Sequence, residues 1–164
     1  MTMTLEEALG AALDDEYRAR ATYRAVLDAF GDVRPFINIV ESEERHIQAL
    51  RRLFERYEVK VPSDSWPSRV SAPASLEAAC EAGVDAEREN GALYEKLMEA
   101  ARGRTDVEET FQRLLTASQE NHLPAFERAL DRERGGRGGA GGRGRQVRRR
   151  HRGARDSGED ERGA

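Results

Sequence analysis

Glu43 and His46 stand three residues apart in the stretch IVESEERHIQAL, residues 39–50. Around them Phe36, Ile39, Val40, Ile47, Leu50, Leu53, Phe54 and Tyr57 recur every three or four positions, the period of one buried helix face. The carboxylate and the imidazole fall on that same face. At i and i+3 the two side chains project toward one point, a spacing suited to holding a transition-metal ion. Alone the pair carries little weight. In a chain with 31 Asp and Glu, Glu-x-x-His arises by chance, and a single Glu of this kind is more often a boundary residue whose head reaches water or an Arg such as Arg20.

The pattern recurs, however, on three other apolar stripes. Glu16 lies three residues beyond Leu13 and seven before Tyr23. Glu87 lies three beyond Val84 and seven before Tyr94, with Asn90 one turn further on. His122 lies seven beyond Leu115 and four before Phe126, with Gln119 one turn earlier. Three carboxylates and two imidazoles brought to one level of a core would cost several kcal/mol if left uncompensated, against a total stability of about 5–15 kcal/mol. Metal ions bridged by the carboxylates would compensate them. Tyr23 and Tyr94, on the same inner faces, are placed to donate hydrogen bonds or relay an electron, although ordinary core packing is the commoner role for such tyrosines.

Four helices must position these groups. The first is predicted over about 5–30: Thr4 and Glu7 form a capping box, and Gly31 supplies the stop. Asp32 is expected to cap a second helix that admits Pro35 in its first turn and runs to Tyr57. Residues 58–74 contain three prolines and no helical period, so they read as a long connection. Ser75 caps a third helix that ends near Gly103. Thr105 and Glu108 read as a second capping box, opening a fourth helix that carries Val107, Phe111, Leu114, Phe126 and Leu130 inward. No segment before Asp131 reads as a strand. Short turns at Gly31 and Gly103 make two antiparallel hairpins, and the 17-residue link can cross the bundle to join them, which predicts an up-down-down-up arrangement.

Charge divides the chain unevenly. From Asp131 onward eleven Arg outnumber six acidic residues, a net of +5 that leaves −9 on the preceding residues, for a total of −4. The folded domain is therefore expected over residues 1–131, and residues 132–164, rich in Arg and Gly with little to bury, are expected to be a disordered tail. Arg145–Arg152 is dense enough in charge to give weak, salt-sensitive contact with nucleic acid, though no aromatic residue is present to stack on bases. His151 belongs to this tail and is not expected to bind metal. Cys80 is the only cysteine, which excludes an intrachain disulfide and reads as a small core residue. The first twenty residues lack a basic leader followed by an apolar run, and no segment approaches the length of a membrane span, so a soluble, cytoplasmic chain without membrane contact is expected.

The segments DEYRARATYRAVLDAFGDVRPFINIVESEERHIQALRRLFERY, GVDAERENGALYEKLM and ASQENHLPAFERAL together resemble a ferritin-like family catalogued mainly as a domain of unknown function. The resemblance covers about residues 5–130, and DEYRARATY, FGDVRPF and NHLPAF are its most specific pieces. It implies an all-α, ferritin-like antiparallel four-helix bundle related to rubrerythrin and bacterioferritin, with a long crossover between the second and third helices and a metal centre among the helices. The wider pattern is a Glu on helix 1, Glu-x-x-His on helix 2, a Glu on helix 3 and Glu-x-x-His on helix 4. Glu16, Glu43, His46, Glu87 and His122 match it. Gln119 departs from it, standing where the fourth carboxylate belongs. Glu120 lies about 100° around the helix and substitutes only if the helix is distorted, for which Pro124 offers a cause.

A two-metal site, a one-metal site and a metal-free bundle all remain open on these residues. The resemblance implies two iron ions, with manganese or another transition metal as the substitute, and reaction with dioxygen or peroxide as a ferroxidase- or peroxidase-type oxidoreductase. Without rubredoxin-type cysteines, reduction would come from an external electron donor. The competing expectation is a metal-free helical bundle serving as a binding or homodimerisation module, its basic tail contacting nucleic acid.

Overall fold

The computed structural model describes residues 3–138, and these are helical throughout their ordered elements, with no strand among them. Helix α1 spans Leu5–Phe30. Thr4 Oγ1 accepts from the Glu7 amide at 3.2 Å, and Glu7 Oε2 accepts from the Thr4 amide at 2.8 Å, so two first-turn donors are satisfied reciprocally. Gly31, at φ 81°, ends the helix in a conformation that side chains disfavour.

Helix α2 spans Phe36–Arg56 and is not capped by Asp32. Its first amides instead find backbone carbonyls, Ile37 donating to Val33 and both Asn38 and Ile39 to Pro35, each at 3.1 Å. The five residues of the turn leave Asp32 too far back to act. Helix α3 spans Leu76–Ala101, with Ser75 Oγ accepting from the Ala78 amide at 3.1 Å.

Helix α4 spans Thr105–Ala117, so Thr105 is the first helical residue rather than the cap. The amides of Val107 and Glu108 bond to the Arg104 carbonyl, and the Glu108 carboxylate reaches back to the Gly103 amide at 2.8 Å. A π-helical turn, Ser118–His122, then leads directly into α5, Leu123–Gly138. This last helix runs past residue 131, where the folded domain was expected to end. Arg134 ties the extension to α3, at 3.5 Å from Glu77 and 3.1 Å from Glu81. The expected tail beyond residue 138, with Arg145–Arg152 and His151, lies outside the described residues.

Residues 57–75 connect α2 to α3 and are fastened to α1. Trp66 Nε1 donates to Asp14 at 2.8 Å, Arg20 Nη2 donates to Asp64 at 2.8 Å, and the Arg69 guanidinium covers the Trp66 ring at 4.0 Å. No helix among the described residues is long and apolar enough to cross a membrane.

The core comes in two pieces. One contains Leu9, Leu13, Ile47, Leu50, Phe54, Tyr94, Leu97 and Phe111. The other contains Tyr23, Val26, Phe36, Ile39, Val84, Phe126 and Leu130, with the buried Cys80 beside them. Tyr23, Phe36 and Phe126 pack with ring centroids 5.1–5.8 Å apart, each burial contributing about 1.5–3 kcal/mol. Gly83 lets Phe126 come this close. A Cβ there would stand 2.7 Å from the Phe126 ring, and the ring is fully buried, so it has nowhere to retreat. Gly83→Ala is expected to lower stability by about 1–3 kcal/mol, read as a shift in the urea midpoint at unchanged slope.

Candidate metal centre

Between the two apolar clusters lies a polar layer. Glu16 from α1, Glu43 and His46 from α2, Glu87 from α3 and His122 from the π turn meet there, and all but His46 are buried. His46 Nδ1 lies 3.1 Å from Glu16 Oε2 and 3.0 Å from Glu43 Oε2. His122 Nδ1 lies 3.2 Å from Glu43 Oε1 and 3.6 Å from Glu87 Oε2. The two rings stack at 5.5 Å. Glu43 therefore offers one oxygen to each histidine and belongs to two clusters, Glu16–Glu43–His46 and Glu43–Glu87–His122. Within each, the ligand atoms lie within 4.8 Å of one another.

Each carboxylate away from the centre is also held. Tyr94 Oη donates to Glu16 Oε1 at 2.7 Å, and Tyr23 Oη donates to Glu87 Oε1 at 2.8 Å. Burial, followed by the neighbouring carboxylates, raises both phenols well above their usual range, so they stay protonated as donors. Gln119 does not join the ligand atoms. Its Nε2 donates to the Glu87 carbonyl at 2.6 Å and to Ser118 Oγ at 2.9 Å. Asn90, the remaining polar residue expected beside the site, donates to Asp15 Oδ2 at 2.8 Å rather than to a carboxylate of the layer.

The π turn decides what replaces the missing fourth carboxylate. Pro124 has no N–H for the Glu120 carbonyl, and immediately upstream the ladder widens, Leu123 donating to Ser118 across five residues. Glu120 nevertheless stays exposed. Ser118 turns inward instead, its Oγ donating to Glu87 Oε2 at 2.6 Å. The sequence reading missed Ser118 because it sought only acids and imidazoles. Its position four residues before His122, on the same helical face, was the available signal.

Electrostatics in the layer follow from burial and crowding. Burial and the Glu43 carboxylate push Glu16 up to about 8. Burial opposes ionisation of Glu43 too, but hydrogen bonds from His122 and His46 outweigh it and hold that carboxyl well below the usual range. For His46 burial again opposes the charge, and the bonds to Glu16 and Glu43 overcome it, raising the imidazole to about 10. His122, bonded to Glu43 and Glu87, is raised to about 9 in the same way.

Oxygen and imidazole donors converging from α1, α2, α3 and the π turn, with one carboxylate shared between two three-ligand clusters, fit a pair of transition-metal ions. All five residues of the layer line a cavity of about 300 Å³, to which Ala19 and Thr22 of α1 and Ala82 and Ala86 of α3 also contribute.

Fold and site thus define an all-helical domain with a buried carboxylate–histidine layer. By sequence the chain belongs to the family of the uncharacterized protein domain DUF2202, whose profile matches residues 9–103. The match takes in Glu16, Glu43, His46 and Glu87 but stops short of His122. Among solved structures, the chain is similar to a hypothetical protein from Methanococcus jannaschii, with a TM-score of 0.69 and 24% identity over 78% of this chain and 80% of that one. That likeness concerns the fold. No curated protein matches the chain.

Proposed function

We propose that this chain is a ferritin-like protein that binds two divalent transition-metal ions, iron first and manganese as the substitute, with Glu43 bridging them. The observation that carries this reading is the division of Glu43 between two histidine-bearing clusters. The order of contacts along the helices supports the bundle arrangement. Glu16 of α1 meets His46 and Tyr94, while Tyr23, further along α1, meets the earlier residues Phe36 and Glu87. Helix α1 thus runs opposite to both α2 and α3, and residues 57–75 serve as the crossover.

In this reading Glu16 and His46 hold one ion, Glu87 and His122 the other. Three carboxylates offset three of the four positive charges. Tyr94, Tyr23 and Ser118 fix the carboxylates from behind, so that little reorganisation accompanies loading. Bound iron would supply redox chemistry with dioxygen or peroxide, with electrons drawn from an external donor. Elemental analysis of protein expressed with added iron and manganese is expected to give about two ions per chain. Anaerobic ferrous loading followed by dioxygen or peroxide should then oxidise the iron faster than free iron at the same pH. Absence of stoichiometric metal would overturn the proposal.

One observation favours a metal-free binding module instead. With Glu16 protonated, two imidazoliums balance the Glu43 and Glu87 carboxylates, so the layer is charge-compensated by its own residues. The same elemental analysis separates the two readings.

A further inference from the structure

The Arg-rich end of the chain has no part in the metal centre. Residues 139–164 contain eight Arg and four acidic residues, a net of +4, which leaves −8 on residues 1–138 for the total of −4. The positive charge is concentrated, since seven of the thirteen residues in Arg143–Arg155 are Arg and none is acidic. This segment lies outside the described residues, but the point from which it departs is fixed, because α5 ends at Gly138.

Near that point a groove of about 380 Å³ lies between α3 and α5, lined by none of the five residues of the metal layer. Four exposed carboxylates line it, Glu81 and Asp85 from α3 and Glu127 and Asp131 from α5. Two of them have partners: Arg134 lies 3.1 Å from Glu81, and Arg88 lies 3.2 Å from Glu127. Asp85 and Asp131 make no side-chain hydrogen bond or ion pair among the described residues. Four carboxylates against two guanidiniums leave the groove a net of −2 facing solvent. The basic segment can reach it. Asp131 stands seven residues before Gly138, about 10 Å along the helix axis. Arg145 stands seven residues beyond Gly138, and a Gly-rich stretch of that length spans about 15 Å end to end. Such a tether also sets a roughly millimolar effective concentration, so exposed charge pairs that are weak singly suffice together.

We propose that Arg143–Arg155 docks on the groove between α3 and α5 of its own chain, its guanidiniums pairing with Asp85 and Asp131. A polyanion such as nucleic acid must then compete with the groove for the same Arg side chains. No ligand of the metal layer takes part, so the docking is independent of the two-metal reading.

A nitroxide on Ala154→Cys in the full chain reads the docking as broadening of amide resonances, with Cys80→Ala, or Cys80→Ser if that variant does not fold, leaving a single thiol. At about 50 mM salt, resonances of residues 81–88 on α3 are expected to lose more than half their intensity, and about 500 mM salt should restore most of it. Helix α3 is the informative one, because broadening on α5 follows from the tether alone. Asp85→Asn combined with Asp131→Asn should give the high-salt intensities on α3 already at about 50 mM salt. Both side chains are exposed, so the fold should be retained. The same double variant should bind a short oligonucleotide about threefold tighter than the parent chain, the groove no longer competing. Equal α3 intensities at both salt concentrations, or a double variant indistinguishable from its parent, would overturn the docking. Broadening of isotope-labelled chains without nitroxide, when mixed with spin-labelled ones, would assign the segment to a second copy and overturn it as well.

Discussion

Glu43→Ala is expected to abolish binding of both ions held by the buried carboxylate–histidine layer. Either ion would lose a ligand by any of several substitutions, but Glu43 is the one carboxylate that both clusters share. Glu16→Ala or Glu87→Ala should each spare one ion. Elemental analysis of the three variants in parallel checks this, and two ions retained by Glu43→Ala would remove the bridging role. The variant also affects the metal-free chain. In the metal-free chain Glu43 accepts from both His46 and His122. Removing it strands two buried cations, at a cost of about 3–5 kcal/mol, the upper end being avoided if the imidazoles shed their protons. Chemical denaturation of the metal-free variant reads this loss, while far-ultraviolet circular dichroism should show its helices retained.

Metal uptake is expected to release about three protons per chain at pH 7. His46 is raised to about 10, His122 to about 9 and Glu16 to about 8, so all three carry protons at neutral pH that a metal ion must displace. Each displaced proton costs about tenfold in the binding constant per unit of pH below its pKa. The overall constant for two ions should therefore fall about a thousandfold from pH 7 to pH 6, and flatten above about pH 10. Calorimetric titration with Mn²⁺ in two buffers of different ionisation enthalpy measures the proton count, and a count near zero would contradict the charge state described for the layer. The metal-free chain carries the linked signature. Raised histidines stabilise the fold fully below their unfolded value near 6.5, and that contribution is lost as pH rises through about 9–10. Glu16 acts in the same direction between 4.5 and about 8. Thermal midpoints of the metal-free chain should accordingly fall from pH 7 to pH 10.

How much of this was legible beforehand varies by residue. The capping box at Thr4 and Glu7, the cap at Ser75 and the stops at Gly31 and Gly103 are local hydrogen-bonding and backbone rules, so they could be read from neighbouring letters. Asp32 and Thr105 failed as caps because backbone carbonyls of the preceding turns satisfied the same amides first, an outcome set by turn geometry that residue type does not encode. The end of α5 was misjudged for a tertiary reason. Arg134 continues the helix while pairing with acids on α3, far away in sequence.

By itself the sequence determined that four apolar stripes each carry an acid or imidazole near mid-helix, because a period of 3.6 residues places them on the buried face whatever the partner. Only the tertiary structure decided what those groups meet. It gave Glu43 to two histidines, put Ser118 on Glu87 where a fourth carboxylate was sought, turned Gln119 to a backbone carbonyl and left Asn90 Oδ1 without a donor. These pairings depend on the π turn and on how closely α3 approaches it and α5. Both are set by side-chain volumes and a missing proline N–H acting across the bundle, which the period of any single helix does not contain.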